Sequence, residues 1–312
     1  MRALITGVAG FIGSSLAREL LDRGDQVVGI DSLTDYYSKD LKRDNLARLD
    51  SNRFTFIESD VRDLDLPELL STIDVIYHQA GQPGVRMSWG SDFGIYTELN
   101  VNTTQVLLEA ASRSQTVKRF VYASSSSIYG DAPDFPTGES ELPRPLSPYG
   151  VTKLAAEHLC VLYAKNFGLS TVSLRYFTVY GPRQRPDMAF TRFLRAAEAG
   201  EAIELYGDGS QIRDFTFISD IVRANILAAQ GDIPPGSVFN VAGGSSVSVN
   251  EVIDIISSLT GTTVKVNRSA RALGDVKRTG GSTDAFATAT GWTPTHSIED
   301  GLQRQLEWVR HS

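Results

Sequence analysis

The chain has 312 residues, of which 41% are hydrophobic and 21% are charged, as in an ordinary globular protein large enough for two lobes. Its formal net charge of −7 argues against a protein that mainly binds nucleic acid or an anionic membrane, although a local arginine cluster can still bind one small anion. No run of about 18 apolar residues predicts a membrane span. The single cysteine, Cys160, cannot form an intrachain disulfide, so we expect a reducing compartment, the cytoplasm.

Short apolar runs alternate with amphipathic helical patterns through the first half of the chain. The runs predict strands at residues 2–6, 26–30, 53–58, 74–79, 119–124 and 171–176. The helical patterns between them include Phe11 to Asp22, roughly Phe93 to Ser112, and Tyr149 to Asn166. Buried strands separated by helices are typical of a doubly wound parallel sheet, so we predict an α/β fold of the Rossmann type.

After about residue 180 the alternation becomes irregular and is interrupted by many glycine and proline turns. Short strands there join helical segments near residues 187–199, 219–230, 249–260 and 298–310. We predict a Rossmann domain over residues 1–180 and a smaller, mixed α/β substrate lobe over 181–312, with a return strand to the main sheet near 238–243. Because ligands of doubly wound folds bind outside the carboxyl ends of the strands, we expect the site in the cleft between the lobes.

Three glycines mark a candidate dinucleotide site. Gly7, Gly10 and Gly13 lie between the first strand and the first helix, with a first gap one residue wider than in the usual fingerprint. Glycines permit a tight turn and a close approach of the backbone to the ligand, and the helix N-terminus favours a pyrophosphate. Asp31, at the end of the second strand, can accept hydrogen bonds from ribose hydroxyls and would repel a 2′-phosphate. The sequence therefore predicts NAD rather than NADP.

Two features near this site leave alternatives open. Lys42 and Arg43 form a basic pair that could serve NADP, and we interpret them as mostly solvated helix charges that reach toward the adenosine. Asp60 and Val61 follow the third strand and would lie beside the adenine, but Asp60 could equally cap a turn or a helix.

A tyrosine and a lysine form a candidate catalytic pair. Tyr149 and Lys153 are four residues apart, so that both side chains lie on one face of a helix. An ammonium group near a phenol favours the phenolate, so we expect Lys153 to lower the pKa of Tyr149. The serine run SSSSIYG ends the preceding strand, where a hydroxyl can bond the sugar oxygen that loses its proton.

The motifs TGxxGFIG, HxAG, YASSSSxYG, SPYGxTK, LRYFxVYGP, GDGSQxRDF and GDV occur in this order over nearly the whole chain. Together they resemble the extended short-chain dehydrogenases that act on nucleotide sugars. Within that family, FTVYGPRQRPDMAF (177–190) and DYYSKDLKRDNL (35–46) look most like UDP-glucuronate 4-epimerases. The segment RTGGSTD (278–284) departs from the T-x-A-D that commonly follows GDV, which weakens the transfer of roles to residues 271–284.

The resemblance implies roles for individual residues and no metal site. Tyr149 would be the base, Lys153 its partner and the anchor of the nicotinamide ribose, and Ser125 the catalytic serine. The implied cofactor-binding residues also include Gly7, Gly10, Phe11, Ile12, Gly13, Asp31, Lys42, Asp60, Val61, Gln79, Ala80, Gly81, Asn100, Ser124 and Tyr176. The implied substrate-binding residues are Arg86, Ser126, Ser127, Thr178, Arg185, Met188, Phe190, Tyr206, Gln211, Arg213, Arg271 and Asp275. Phe190 and Tyr206 could equally be core aromatics, and any single arginine could be a solvated surface charge.

The implied reaction is 4-epimerisation of a UDP-sugar through a 4-keto intermediate, and the likeness to UDP-glucuronate 4-epimerases implies conversion of UDP-glucuronate to UDP-galacturonate. The resemblance also implies a homodimer formed through the helices at 93–112 and 149–166. Ser126 and Ser127 stand where related 4,6-dehydratases carry Asp-Glu and UDP-glucuronate decarboxylases carry Glu at the second position, which favours epimerisation. A UDP-glucose 4-epimerase is the first alternative, if Thr178 merely packs at a strand end. A decarboxylase or a dehydratase comes next, and a non-catalytic NAD-binding regulator last.

Overall fold

The computed structural model describes residues 1–270 and 276–312. Its strands are β1 Arg2–Thr6, β2 Gln26–Asp31, β3 Phe54–Glu58, β4 Val75–His78, β5 Arg119–Ser125, β6 Thr171–Tyr176, β7 Thr178–Tyr180, β8 Ala202–Tyr206, β9 Ile212–Phe217, β10 Ser237–Val241, β11 Ser245–Ser248 and β12 Lys265–Ser269. Its α-helices are α1 Phe11–Asp22, α2 Lys39–Ala47, α3 Leu66–Leu70, α4 Phe93–Tyr96, α5 Thr103–Arg113, α6 Pro148–Phe167, α7 Ala189–Ala199, α8 Ile218–Gln230, α9 Val249–Thr260, α10 Asp284–Thr290 and α11 Ile298–Arg310.

A seven-stranded sheet in the order β3-β2-β1-β4-β5-β6-β10 forms the centre of the molecule. All of its neighbouring strands pair in parallel, which confirms the doubly wound Rossmann-type fold. The chain order reverses between β1 and β4, and this switch point is where ligands of such folds bind. The last strand, β10, comes from the C-terminal part of the chain and pairs with β6 from Ser237↔Val172 to Val241↔Tyr176.

Both faces of this sheet are covered because side chains alternate along each strand. Ala3 and Ile5 point into a core that includes Leu20 of α1 and Ile221 of α8. Leu4 points to the opposite face, into a core with residues of α5 and α6, including the buried free thiol of Cys160. A strand that is buried on both sides reads as a nearly continuous apolar run, as RALIT does.

The helix expected over residues 93–112 is interrupted in the structure. It consists of α4, a π-helical segment over Thr97–Asn102, and α5. Asn100, within the π-helical segment, is buried and hydrogen-bonded to Gln82 and Thr152. π-Helical turns of this kind occur frequently at functional sites.

The C-terminal part of the chain adds two small sheets and further helices. β7, β9 and β11 form a three-stranded sheet, with β9 in the middle, and β8 pairs in parallel with β12. Helix α7 packs against both α9 and α11. In the described ranges no helix has both the length and the apolar character needed to cross a bilayer.

Candidate active site

A first cavity of about 240 Å³ opens at the carboxyl ends of the central strands, beside the switch point. The glycine turn forms its floor. Gly7 has a positive φ of 71°, and a Cβ atom on Gly13 would lie 2.2 Å from the carbonyl oxygen of Gly7. Because no side chain of the described residues caps the start of α1, its first N–H groups remain available to a pyrophosphate.

Asp31 lies at the end of β2 and lines this cavity. Its carboxylate oxygens accept hydrogen bonds from the backbone N–H groups of Leu33 (2.9 Å) and Ala9 (3.1 Å), which fix its position. A carboxylate has further lone pairs, so it can still accept from ribose hydroxyls. Burial raises the pKa of Asp31 above its usual value, while these two hydrogen bonds and the charge of Lys42 act in the opposite direction.

The two basic residues of α2 differ in their environments. Arg43 is exposed, as expected, but the interpretation of Lys42 as a solvated charge was wrong. The Lys42 ammonium group is buried and donates to the backbone oxygen (2.8 Å) and the side chain (3.1 Å) of Thr34. It thereby fixes the loop between β2 and α2 at the edge of the first cavity.

Most of the residues expected to bind the cofactor surround this one cavity. They are Gly7, Gly10, Phe11, Ile12, Gly13, Asp31, Lys42, Asp60, Val61, Gln79, Ala80, Gly81, Ser124, Tyr149, Lys153 and Tyr176. Asp60 also caps the short 3₁₀ turn that follows β3, so this residue both caps the turn and lines the cavity. Asn100 does not line the cavity; it bonds the backbone of Gln82, next to Gly81, and acts through that segment. The glycine turn, the acidic residue and the uncapped helix together fit a dinucleotide.

The candidate catalytic side chains converge where this cavity ends. Ser147 caps α6 by accepting from the N–H of Gly150, which places Tyr149 in the first turn of the helix. The Ser125 hydroxyl group, at the end of β5, lies close enough to Tyr149 to act on the pKa of its phenol. One turn further along α6, the Lys153 ammonium group donates to the carbonyl oxygen of Ala123 at 2.6 Å.

Burial, rather than Lys153, dominates the acidity of the tyrosine. It raises the pKa of Tyr149 above its usual value, and the groups that act against it are the Ser125 hydroxyl and the charge of Arg185. The expected effect of Lys153 on this pKa stays a prediction. Burial also lowers the pKa of Lys153 to about 8, so this residue changes its charge near neutral pH.

A buried ion pair lies behind the catalytic residues. Glu157, one turn after Lys153 on α6, accepts two hydrogen bonds from Arg175 of β6, at 3.0 and 2.7 Å. Ser124, next to Ser125, donates to the same carboxylate at 2.6 Å. The two charged side chains are only 7% and 3% exposed. This contact joins β5, β6 and α6 directly behind the catalytic residues.

A second cavity of about 530 Å³ lies on the C-terminal side. The expected substrate-binding residues that line it are Arg86, Ser126, Ser127, Thr178, Met188, Tyr206, Gln211 and Arg213. The guanidinium group of Arg86 stacks over the ring of Tyr206, 4.0 Å from its centroid. An aromatic ring under a planar cation makes a flat wall that suits a nucleobase or a charged group.

Three of the expected substrate-binding residues that line this second cavity carry hydroxyl groups. Ser126 and Ser127 belong to the 3₁₀ turn after β5, and Thr178 begins β7. Two carboxylates also line the cavity among the described residues, and both already have partners. Asp187 pairs with Arg185, and Glu204 accepts from the side chain of Asn267 at 2.8 Å.

Arg185 and Tyr36 connect the two cavities. Arg185 lines the first cavity and binds Asp187 through two hydrogen bonds of 3.0 Å, while Tyr36 lines both cavities and also bonds to Asp187. The family resemblance had indicated Arg185 as a site residue. Neither Tyr36 nor Arg192, which also lines the second cavity, was predicted from the sequence. Tyr36 lies inside the quoted stretch DYYSKDLKRDNL, but nothing in its spacing relates it to residues 150 positions away.

One expected substrate residue lies elsewhere, and two cannot be placed. Phe190 is 2% exposed and packs in the core between Tyr180 and Phe215. The ring centroids of Phe190 and Phe215 are 4.4 Å apart. The expectation that it faces the nucleotide was wrong, because the first turn of α7 directs it inward. Arg271 and Asp275 lie outside the described residues.

Comparisons with known proteins agree with this geometry. Residues 3–242 match the model of the NAD dependent epimerase/dehydratase family. The chain is 40% identical over 99% of its length to a Bacillus subtilis protein named as an uncharacterized UDP-glucose epimerase, covering 98% of it. It is 38% identical over 99% of its length to a UDP-glucuronate 4-epimerase of Thermodesulfobacterium geofontis, covering 96% of that protein.

A solved structure has the same fold as this chain. The UDP-glucuronic acid 4-epimerase of Bacillus cereus, crystallised with UDP-glucuronic acid and NAD, superposes with a TM-score of 0.96. The two chains are 41% identical, and the match covers 100% of this chain and 99% of the other. The family match spans the strands, the glycine turn and the Tyr149–Lys153 pair that build the site. The chain belongs to the NAD dependent epimerase/dehydratase family.

Proposed function

We propose that this protein is an NAD-dependent UDP-glucuronate 4-epimerase, which forms UDP-galacturonate without loss of carbon dioxide. One observation carries the choice of substrate: Ser126, Ser127 and Thr178 line the second cavity, and Ser126 directly follows Ser125 in the turn after β5. Several hydroxyl donors can hold a carboxylate without a buried counter-ion.

The protein residues supply the proton chemistry. Tyr149, as the phenolate, would take the proton of the 4-hydroxyl group while Ser125 donates a hydrogen bond to the same sugar oxygen. The phenol would give this proton back to the oxygen when hydride returns to C4. NAD accepts a hydride from C4 and returns it to the opposite face of the turned 4-keto sugar. Lys153, whose ammonium group is held by the Ala123 carbonyl, would fix the nicotinamide ribose beside Tyr149.

The absence of a carboxylate at positions 126 and 127 favours epimerisation over the sister reactions. Dehydration needs an acid and a base at C5 and C6, and both positions are serine here. The 4-keto intermediate of a uronate is a β-keto acid, which loses carbon dioxide when the C5–C6 bond aligns with the carbonyl π system. Hydroxyl groups that hold the carboxylate out of this alignment would let hydride return first.

The substrate is tested by incubating the NAD-loaded enzyme with UDP-glucuronate or UDP-glucose and following the products by NMR. We expect UDP-galacturonate to be the main product. Thr178→Val keeps the side-chain shape but removes one hydroxyl group, so it should lower kcat/KM for UDP-glucuronate by about tenfold and change that for UDP-glucose less. A UDP-pentose as main product would contradict the argument about decarboxylation.

UDP-glucose is the second candidate substrate. It is favoured by the name of the Bacillus subtilis relative, and it would require Thr178 only to pack at the start of β7. Efficient formation of UDP-galactose, with UDP-glucuronate left unchanged, would establish this alternative in place of our proposal.

The cofactor preference is assigned to Asp31. The Leu33 and Ala9 N–H groups donate to different oxygens of Asp31, so Asp31→Asn keeps an acceptor for only one of them. It also removes the charge that repels a 2′-phosphate, so the preference for NAD over NADP should fall by about tenfold or more. Fluorescence titration of the cofactor-depleted protein measures both affinities. Asp44→Ala, which removes an exposed carboxylate of α2, is the matched control. An unchanged ratio in the Asp31 variant would show that another group excludes NADP.

We also propose a cytoplasmic homodimer in which residues 1–180 bind NAD and residues 181–312 bind the nucleotide sugar. Two neighbouring helical segments expose large apolar side chains: Phe93 and Ile95 are 40% and 50% exposed on α4, and Val151 and Leu162 are 48% and 51% exposed on α6. Val151 and Leu162 are about three turns apart, so they share one face. A second copy of the chain would cover this surface, and a monomer in sedimentation experiments at micromolar concentration would argue against it.

A further inference from the structure

A third groove lies on the face of the molecule formed by α1 and α8, and neither proposed ligand uses it. It has a volume of about 620 Å³, within the range of ordinary small-molecule sites. Its walls are the outer side of α1, one side of α8 and the loop that follows β7. The nonpolar part of the lining comes mainly from Ile218, Val222 and Ile226 of α8.

Four arginines line this groove, namely Arg18, Arg23, Arg183 and Arg223, in a protein whose net charge is −7. Two of them are neutralised by neighbours, since Arg18 pairs with Asp22 and Arg223 with Asp220. Arg23 donates only to the uncharged side chain of Gln230, at 3.3 Å. One carboxylate, Glu19, also lines the groove, so the four arginines are set against Glu19, Asp22 and Asp220, and a small excess of positive charge remains.

Arg183 differs from the other three because its guanidinium group has no hydrogen-bond or ion-pair partner within residues 1–270 and 276–312. Its Nε atom is shielded from solvent and bonded to nothing there. Burial lowers the pKa of Arg183, and the charges of Arg48 and Arg18 act in the same direction. Its backbone also has a positive φ of 67°, unusual for a residue other than glycine. Arg183 is half-buried, and a partly desolvated cation is stabilised by a partner anion.

We propose that this groove is a binding site for a phosphorylated small molecule that carries at least two negative charges. The planar fork of Arg183 matches a phosphate group, which it can bind through two parallel hydrogen bonds. Arg23 supplies the second charge, and the apolar side of α8 contacts the uncharged part of the ligand. The site is separate from the catalytic cavities, whose lining includes none of the four arginines.

The test uses the NAD-loaded enzyme saturated with UDP, so that both catalytic cavities are occupied, and inorganic pyrophosphate as the probe in calorimetry. We expect pyrophosphate to bind at one saturable site, with an affinity that falls as salt is added. Arg183→Met should lower its affinity at least tenfold, because it removes the charge and both donors of the fork. Acetate, which carries one charge, should bind much more weakly.

Two further variants make the result decisive. Arg304→Met removes an exposed arginine from α11 and should leave pyrophosphate binding unchanged. Arg183→Lys keeps the charge without the fork and should bind with intermediate affinity, which provides a test if Arg183→Met does not fold. The absence of saturable binding, or equal affinities of the wild type and the Arg183 variant that folds, would overturn the proposal.

Discussion

Tyr149→Phe is expected to lower kcat by about two to four orders of magnitude and to leave the fold and the bound NAD unchanged. The substitution removes the oxygen that accepts the proton of the sugar 4-hydroxyl group but leaves the aromatic ring. Product formation from UDP-glucuronate measures the loss, and the absorbance spectrum of the purified protein measures the cofactor content.

Two other variants calibrate this result. Ser125→Ala removes a single hydrogen bond while Tyr149 persists, so its loss should be smaller, about tenfold. Tyr163→Phe removes a phenol of the same helix that donates to Glu109, remote from the cavities, and should retain activity within about twofold. Activity of Tyr149→Phe close to that of the wild type would refute the proposed role of the phenol.

Arg175→Met is expected to lower the free energy of unfolding by about 3 to 5 kcal/mol, because it leaves the Glu157 carboxylate buried without its counter-ion. The lost contacts are the two hydrogen bonds to Glu157 and those to Tyr129 and the backbone of Glu139. Urea denaturation followed by circular dichroism, with NAD at constant concentration, gives the difference.

A double variant separates the buried charge from the lost packing. Arg175→Met combined with Glu157→Gln removes the charge and keeps an oxygen that accepts from Ser124, so it should recover more than half of the lost stability. Because the charge of Glu157 raises the pKa of Lys153, the double variant, which lacks this charge, should shift the pH dependence of kcat to lower pH. A loss below about 1 kcal/mol in the single variant would mean that water or another cation compensates the carboxylate.

The sequence by itself determined the features that depend on neighbouring residues. The glycine spacing, the acidic residue after the second strand and the Tyr149–Lys153 spacing are local patterns, and each recurs in the structure beside the first cavity. The alternation of buried strands and helices also predicted the parallel sheet. A strand that helices cover on both faces must be apolar at nearly every position, and this pattern is visible in the sequence. The order of motifs along the chain was enough to indicate the family.

Only the tertiary structure decided which side chains are buried and what they contact. Because α2 is rich in charged residues, the sequence suggested that the ammonium group of Lys42 is exposed to solvent. In the structure this group is buried and donates hydrogen bonds to Thr34. Phe190 looked like a ligand contact, but α7 packs it against Phe215. The predicted helix at 93–112 has no sequence signal for its π-helical segment, because the partners of Asn100 are Gln82 and Thr152, far away along the chain.

Electrostatics depend even more on the fold. The four-residue spacing placed Lys153 near Tyr149, yet the pKa of the phenol is governed by its removal from water, which a sequence does not encode locally. The pairing of Arg185 with Asp187 and the unpartnered Arg183 lie within one heptapeptide, GPRQRPD, and look alike in the sequence. Their surroundings differ because Arg185 lines the first cavity, whereas Arg183 lines the groove of α1 and α8. Only the packing of the loop after β7 against those helices decides this difference.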